Sequence, residues 1–168
     1  GVEVNFAEAL KWFQKSADQG NSQAQCHLGI MYTYGQGVKV NMKEALKWYN
    51  KAAANKNSDA MVTLGDIYIN GTEGVKQDTE KALDYYYRVF DLAPENKTVA
   101  LCIANTLAIS KQKETCYEYF EKALKLDGNN YKTYICYAIA KSDLKDYEDA
   151  IELYKKAIEI EPNEANAY

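Results

Sequence analysis

The sequence has little proline, no long apolar run and no excess of basic residues, and each shortage excludes a class of protein. Only two of its 168 residues are proline, which favours long uninterrupted helices because proline lacks the amide hydrogen that a helix interior needs. No apolar run approaches the roughly 20 residues of a membrane-spanning helix, so we expect no membrane span. Twenty basic and 24 acidic residues are interleaved, for a net charge of −4. Without a basic patch, nucleic acid is not an expected partner.

Cysteine and histidine are also too sparse to indicate a metal or redox centre. The chain has one histidine, His27, and four cysteines, none of which forms a C-x-x-C pair, so we expect no metal and no cofactor. Each cysteine lies among apolar residues, where a free thiol behaves as a small hydrophobic group. Unpaired thiols mildly favour a reducing, cytoplasmic compartment. Nothing else in the sequence indicates a location.

The strongest positive signal is a repeat of 36 residues in the first half. The stretch AEALKWFQKSA at 7–17 recurs as KEALKWYNKAA at 43–53. The stretch HLGIMYTYGQGV at 27–38 recurs as TLGDIYINGTEGV at 63–75, with one inserted residue. Self-similarity at a fixed period of this length indicates a repeat architecture, in which each unit buries its apolar face against its neighbours.

In the second half the period shortens to 34 residues. Phe120 and Ala123 recur as Tyr154 and Ala157. Successive units are closed at the same spacing by Pro94, Gly128 and Pro162. The change of period, with no break in helical pattern, indicates two kinds of repeat in one array.

Apolar residues recur at the i, i+3, i+4 and i+7 spacing of core-facing helices, and no segment alternates like a strand. Asn5 with Glu8, and Asn41 with Glu44, resemble capping boxes that start helices. We predict helices at 5–18, 21–34, 41–55, 57–70, 77–92, 97–109, 112–126, 130–141 and 146–160.

These patterns resemble two known families. The L-G-x-x-Y, G-x-G-V and A-x-x-W-[FY]-x-K-[AS]-A motifs of the first half are similar to the Sel-one-like repeat (SLR). The second half resembles the tetratricopeptide repeat (TPR) at Tyr134, Ala138, Tyr147, Ala150, Tyr154, Ala157 and Pro162. The resemblance implies an all-α fold, a right-handed α-solenoid of antiparallel helix pairs. We assign 1–92 to Sel-one-like repeats and 93–168 to tetratricopeptide repeats, in one continuous solenoid.

Both ends of the chain fall inside a repeat motif. Gly1-Val2 matches the inter-helix pair Gly37-Val38, so the first repeat is expected to lack its first helix. Tyr168 falls 34 residues after Tyr134, so the last repeat is expected to be cut off inside a new helix. We therefore expect a fragment, or a piece that stacks on a neighbouring copy.

In such solenoids the first helix of each pair lines the concave side, and the family resemblance implies a groove there. Its expected floor mixes aliphatic and polar side chains, suited to an extended or helical segment of another protein. The implied partner-binding residues are Gln23, Cys26, Ile30, Tyr34, Asp59, Val62, Asp66, Asn70, Thr98, Leu101, Asn105, Ile109, Lys132, Ile135 and Ile139. Some tetratricopeptide repeat proteins grip acidic C-termini with a carboxylate clamp, a grid of lysine and asparagine side chains in the groove. Such a clamp is not expected here, because only Asn105 matches that grid.

No pattern of side chains indicates catalysis, so we predict that the chain is not an enzyme. Cys26 and His27 are adjacent on a helix and diverge by about 100°, which prevents a nucleophile–base pair. Asp59 and Asp66 lie about 10 Å apart on one helix face, too far for paired glycosidic carboxylates; they are expected to favour basic or amide-bearing ligands.

The leading hypothesis is a protein-interaction scaffold that binds a peptide or helical segment of a partner in the concave groove. The alternative is a structural self-assembly module whose copies associate through open solenoid ends. A third interpretation, an accessory segment of a larger enzyme, needs catalytic residues outside these 168 positions. Mass in solution separates the first two, since self-assembly requires association that depends on concentration.

Overall fold

The computed structural model describes residues 5–162, and within them the chain forms α-helices and no β-strand beyond an isolated bridge between Thr72 and Val75. The helices are α1 (Phe6–Asp18), α2 (Ser22–Tyr34), α3 (Met42–Ala54), α4 (Ser58–Asn70), α5 (Thr79–Leu92), α6 (Lys97–Ile109), α7 (Lys113–Leu126), α8 (Tyr131–Asp143) and α9 (Tyr147–Ile160). The all-α prediction is confirmed, and every predicted helix is present. The turn expected at Gly1-Val2 and the helix expected before Tyr168 lie outside the described residues.

Asparagine side chains start most of these helices. In each case the side-chain oxygen accepts a hydrogen bond from the amide three residues later, at 3.1 Å for Asn5 and 3.2 Å for Asn41. The same contact is made by Asn21, Asn57, Asn96 and Asn130. A cap of this kind stabilises a helix by about 1 kcal/mol. The repeated asparagines therefore explain why the helix starts follow the sequence period.

Contacts divide the chain after Val89 into two units, residues 1–89 and residues 90–168. In the first unit, helices pack in chain order: α1 on α2, α2 on α3, and α3 on α4. A buried cluster at the centre of this packing comprises Ala17, Ala24, Leu28, Met31 and Trp48. Each helix thus buries its apolar face against its neighbour in the sequence, as a repeat architecture requires.

Two tyrosine rings in the first unit lie directly over helical glycines. A Cβ atom at Gly29 would stand 2.4 Å from a ring carbon of Tyr49, and one at Gly65 would stand 2.4 Å from a ring carbon of Tyr86. Both rings are almost fully buried. The recurrent Leu-Gly dipeptide therefore provides the space in which an aromatic ring of the following helix sits.

The second unit repeats this serial packing with α6 on α7, α7 on α8, and α8 on α9. The rings of Phe120 and Tyr137 stack with centroids 4.8 Å apart. They lie in a buried cluster with Ala104 and Ala140. A second cluster is formed by Ile135 and Ala157, with three half-buried tyrosines around it. Aromatic residues thus provide much of the core of this unit.

A charged network in the second unit ties α7, α8 and the start of α9 together. The buried ammonium group of Lys141 lies 2.6 Å from the Asp149 carboxylate and 3.8 Å from the ring centroid of Tyr117. The Tyr117 hydroxyl donates to Asp146 at 2.6 Å, and Lys113 donates to the same carboxylate at 2.8 Å. A buried ammonium group is tolerated when it is paired in this way.

The hydrogen bonds of the Asp146 carboxylate are expected to make the stability of the fold sensitive to acid. Hydrogen bonds from Lys113 and then Tyr117 lower the pKa of Asp146. The carboxylate therefore stabilises the fold above its unfolded pKa of about 3.9, and this contribution is lost as the pH falls through the folded pKa. We expect Asp146→Asn to narrow the difference in unfolding free energy between neutral pH and about pH 3, measured by urea denaturation. Asp143→Asn, at an exposed position, is the control, and equal narrowing in both variants would contradict this assignment.

Candidate protein-interaction surface

The helices α2, α4, α6 and α8 are the first members of the pairs α2–α3, α4–α5, α6–α7 and α8–α9. Each carries four exposed or half-buried side chains separated by four, three and four residues. The later members of each set therefore follow the first by four, seven and eleven residues. Each of these spacings lies within about 40° of a whole number of helical turns, so the four side chains of a set share one helix face. We call the two sets of each unit its exposed stripe: in the first unit Gln23, His27, Ile30 and Tyr34 with Asp59, Thr63, Asp66 and Asn70, and in the second unit Thr98, Cys102, Asn105 and Ile109 with Lys132, Cys136, Ile139 and Asp143.

Most of the residues predicted for the groove lie on these stripes, but the second position of each predicted set does not. Cys26 and Ile135 are buried, and Val62 and Leu101 are half-buried. The second position follows the first by three residues, and a spacing of three residues falls about 60° short of a complete helical turn. The side chain at the second position is therefore turned towards the core. Ile135 accordingly lies in the cluster with Ala157. We therefore leave Cys26 and Ile135 out of the proposed surface.

In the second unit, the stripe borders a cleft of about 270 Å³ between α6 and α8. Ile109 is 57% exposed and Ile139 is 43% exposed. The α6–α8 cleft is lined by Asn105, Ala108, Ile109, Cys136, Ile139, Ala140 and Asp143. Exposed aliphatic side chains beside small residues leave room for an apolar side chain of a partner, with the amide and carboxylate able to fix its orientation.

Sequence reasoning missed four of the cleft residues: Ala108, Cys136, Ala140 and Asp143. Two of them could have been found from their position around the helix axis. Cys136 and Asp143 lie four and eleven residues after Lys132, so they share its face of α8. Burial raises the pKa of the Cys136 thiol, against an opposing hydrogen bond with Asn105. The thiol is therefore protonated at neutral pH and contributes a small apolar surface to the cleft.

In the first unit, the stripe carries Ile30 and Tyr34 among polar side chains, and Asp59 and Asp66 make it acidic. The Asp66 carboxylate accepts a 2.6 Å hydrogen bond from the Tyr86 hydroxyl, which fixes its position on α4. The Gln23 side-chain oxygen accepts from the Asn57 amide at 3.0 Å. Burial, with the negative charge of Asp59 adding to it, raises the pKa of the Cys26 thiol to about 11.

The part of the chain that the structure describes shows no candidate metal centre. Within residues 5–162, no group of three histidine, cysteine or acidic side chains is placed to hold a metal ion. Cys26, Cys116 and Cys136 carry free thiols, and burial also raises the pKa of the Cys116 thiol to about 11. Across the same residues, no helix combines the length and apolar character needed to span a membrane.

Helix pairs of about 35 residues that pack in chain order define an α-helical repeat protein. Residues 1–21, 22–57 and 58–89 match the Sel1 repeat, and residues 103–130 and 131–164 match the tetratricopeptide repeat. The chain therefore belongs to the Sel1 repeat family, and tetratricopeptide repeats follow the Sel1 repeats. This order confirms the resemblance that the sequence motifs indicated.

Solved structures share the same fold. A Sel1 repeat protein from Oxalobacter formigenes matches with a TM-score of 0.74 and 25% identity, over 98% of this chain and 67% of that chain. MamA matches with a TM-score of 0.73 and 18% identity, over 94% of this chain and 89% of that chain. YrrB, described as a TPR protein with an unusual peptide-binding site, matches with a TM-score of 0.73 and 20% identity, over 92% of this chain and 77% of that chain. No curated protein sequence matches the chain.

At these identities, MamA and YrrB show the fold alone. The family carries more information, because Sel1 and tetratricopeptide repeat proteins are generally non-enzymatic scaffolds. Fold and family together support a protein-interaction scaffold.

Proposed function

We propose that the chain holds another protein by binding a peptide or helical segment of it on an exposed stripe. The observation that carries this proposal is the α6–α8 cleft, where Ile109 and Ile139 remain exposed beside small residues. Burying a fully exposed isoleucine contributes about 1.5–3 kcal/mol, and because Ile109 is 57% and Ile139 43% exposed, covering the rest of each contributes roughly half of that. Two such side chains on one cleft therefore provide a substantial part of the free energy of a typical peptide complex.

The dimensions of the cleft favour an anchoring side chain over a separate small molecule. Its volume of about 270 Å³ lies below the roughly 300–1,000 Å³ of sites that enclose a drug-sized ligand. One or two aliphatic side chains fill such a space, while the rest of a bound segment follows the helix surface. The peptide-binding site for which YrrB is described gives a precedent for such binding by this fold.

A random peptide library displayed on phage tests this proposal with the immobilised chain. We expect the selection to enrich peptides that bind the wild type. These peptides should bind the double variant Ile109→Asp/Ile139→Asp at least about tenfold more weakly than the wild type, because the two aspartates lose the aliphatic contacts and resist burial. Affinities are measured by isothermal titration calorimetry. Circular dichroism checks that both substitutions leave the helical content unchanged.

The control variant is Ile151→Asp. Ile151 is a similarly exposed isoleucine, but it lies on α9, the second helix of its pair. Equal affinity of the selected peptides for the wild type and the double variant would contradict the proposed site, as would failure to enrich any peptide. If sedimentation velocity instead shows association of the chain with itself that Ile109→Asp/Ile139→Asp abolishes, the stripe is a self-assembly surface, the alternative function.

A further inference from the structure

We infer that the stripe of the first unit recognises a cationic protein segment, an inference that rests on the proposed function and names its ligand class. Helices α2 and α4 contain no lysine or arginine, and their only charged residues are Asp59 and Asp66. Both carboxylates are exposed on the stripe. The histidine of α2, His27, stacks on Phe13 with centroids 4.8 Å apart. The two aspartates, with no lysine or arginine on either helix, make this face acidic.

Neither carboxylate forms a salt bridge with a basic side chain of the described residues. The helical lysines and arginine of the first unit lie on α1, α3 and α5 instead. Several are already engaged: Lys47 with Glu44, Lys81 with Asp78, and Arg88 with Asp84. Asp59 and Asp66 are therefore left without a basic partner among the salt bridges of the described residues.

The side chains of the stripe have the spacing and character that a cationic segment needs. Asp59 and Asp66 are seven residues apart on α4, which places them about 10 Å apart along the helix axis. The Tyr86 hydroxyl holds the Asp66 carboxylate at 2.6 Å. Tyr34 is largely exposed on the stripe of α2, where its ring face can attract a guanidinium or ammonium group.

This spacing predicts the pattern of basic residues in the partner. Residues three apart in a polyproline II segment lie on the same side, about 9.3 Å apart. Residues seven apart in a helix lie on one face, about 10.5 Å apart. Either arrangement places two lysine or arginine side chains opposite Asp59 and Asp66. Arginine fits best, because its guanidinium group can donate two parallel hydrogen bonds to one carboxylate.

The same phage library tests this inference when it is selected on three proteins. We expect the wild type to enrich peptides with an excess of lysine and arginine, and Asp59→Asn/Asp66→Asn to lose that excess. These substitutions keep the shape of both side chains, and the amide oxygen introduced at position 66 can still accept the hydrogen bond from Tyr86. The control is Glu80→Gln/Asp84→Asn on α5, which changes the net charge by the same amount away from the stripe and should keep the excess.

A titration then gives the size of the effect. A peptide selected on the wild type should bind Asp59→Asn/Asp66→Asn about tenfold more weakly at low salt, because each exposed ion pair changes an equilibrium constant by up to about fivefold. The loss should shrink at high salt as the charges are screened. Equal affinity for the wild type and Asp59→Asn/Asp66→Asn, or no excess of basic residues on the wild type, would overturn the inference. If the inference is overturned in this way but the affinity of the selected peptides still depends on Ile109 and Ile139, the proposed function stands.

Discussion

Gly29→Ala is expected to destabilise the first unit by about 1–3 kcal/mol, the usual range for overpacking a filled core. The added Cβ would stand 2.4 Å from a ring carbon of Tyr49, a side chain that is only 1% exposed. The sign of the effect is informative. Alanine inside a helix is normally more stable than glycine by about 1 kcal/mol, so intrinsic propensity alone predicts a gain.

Urea denaturation followed by circular dichroism measures the change in unfolding free energy. Gly128→Ala is the control, because a Cβ there would meet only the Leu124 carbonyl oxygen, at an ordinary 3.4 Å, and we expect a change within about 0.5 kcal/mol. Gly29→Ala combined with Tyr49→Leu should cost less than the two single changes added together, since the smaller side chain removes the clash. A more stable Gly29→Ala variant would show that no ring lies over this glycine.

The helices could be predicted from sequence because several local signals agree at each of them. The apolar spacing marks the face that each helix buries, and an asparagine marks the start of most of them. Gly35 ends α2 with a φ of 70°, in the left-handed region that glycine adopts readily. Each of these signals acts within a few residues, so no knowledge of long-range contacts was required.

The candidate surface was harder to predict than the helices. A spacing of three residues and a spacing of four residues both approximate one helical turn, so the spacing alone does not decide which of two adjacent residues lies on the exposed face. Ile135 has the aliphatic character expected of a binding residue, whereas Cys136 does not, and chemical character alone therefore favours Ile135 over its more exposed neighbour. In the structure, Ile135 packs beside Ala157 of α9, while Cys136 lines the cleft with Asn105 of α6. The choice depends on contacts with helices that are distant in sequence.

Glycine shows the same limit. Gly29 follows Leu28 as Gly65 follows Leu64, and the repeat alone identifies both as positions of interest. Their role becomes clear only when Tyr49 and Tyr86 are placed above them. The repeat indicates that a residue matters, whereas the packing partner determines what a substitution there will do.

Trp48→Ala is expected to cost about 3–5 kcal/mol of unfolding free energy, whereas Trp12→Ala should cost no more than about 1 kcal/mol. The two tryptophans occupy equivalent positions of one repeat, in the sequences LKWFQK and LKWYNK. In the structure Trp48 is 5% exposed and belongs to the core cluster of the first unit, whereas Trp12 is 62% exposed. Truncating Trp48 leaves a large cavity, and truncating Trp12 removes mainly a side chain that already contacts water.

Tryptophan fluorescence checks the assignment independently of stability, because the chain contains only these two tryptophans and each variant reports on the other. Trp12→Ala leaves buried Trp48, whose emission should be shifted to shorter wavelength and resist quenching by iodide. Trp48→Ala leaves exposed Trp12, whose emission should lie at longer wavelength and be quenched readily. The repeat motif alone predicts equal behaviour, so equal quenching and equal stability loss in the two variants would contradict the packing of α1 and α3 described above.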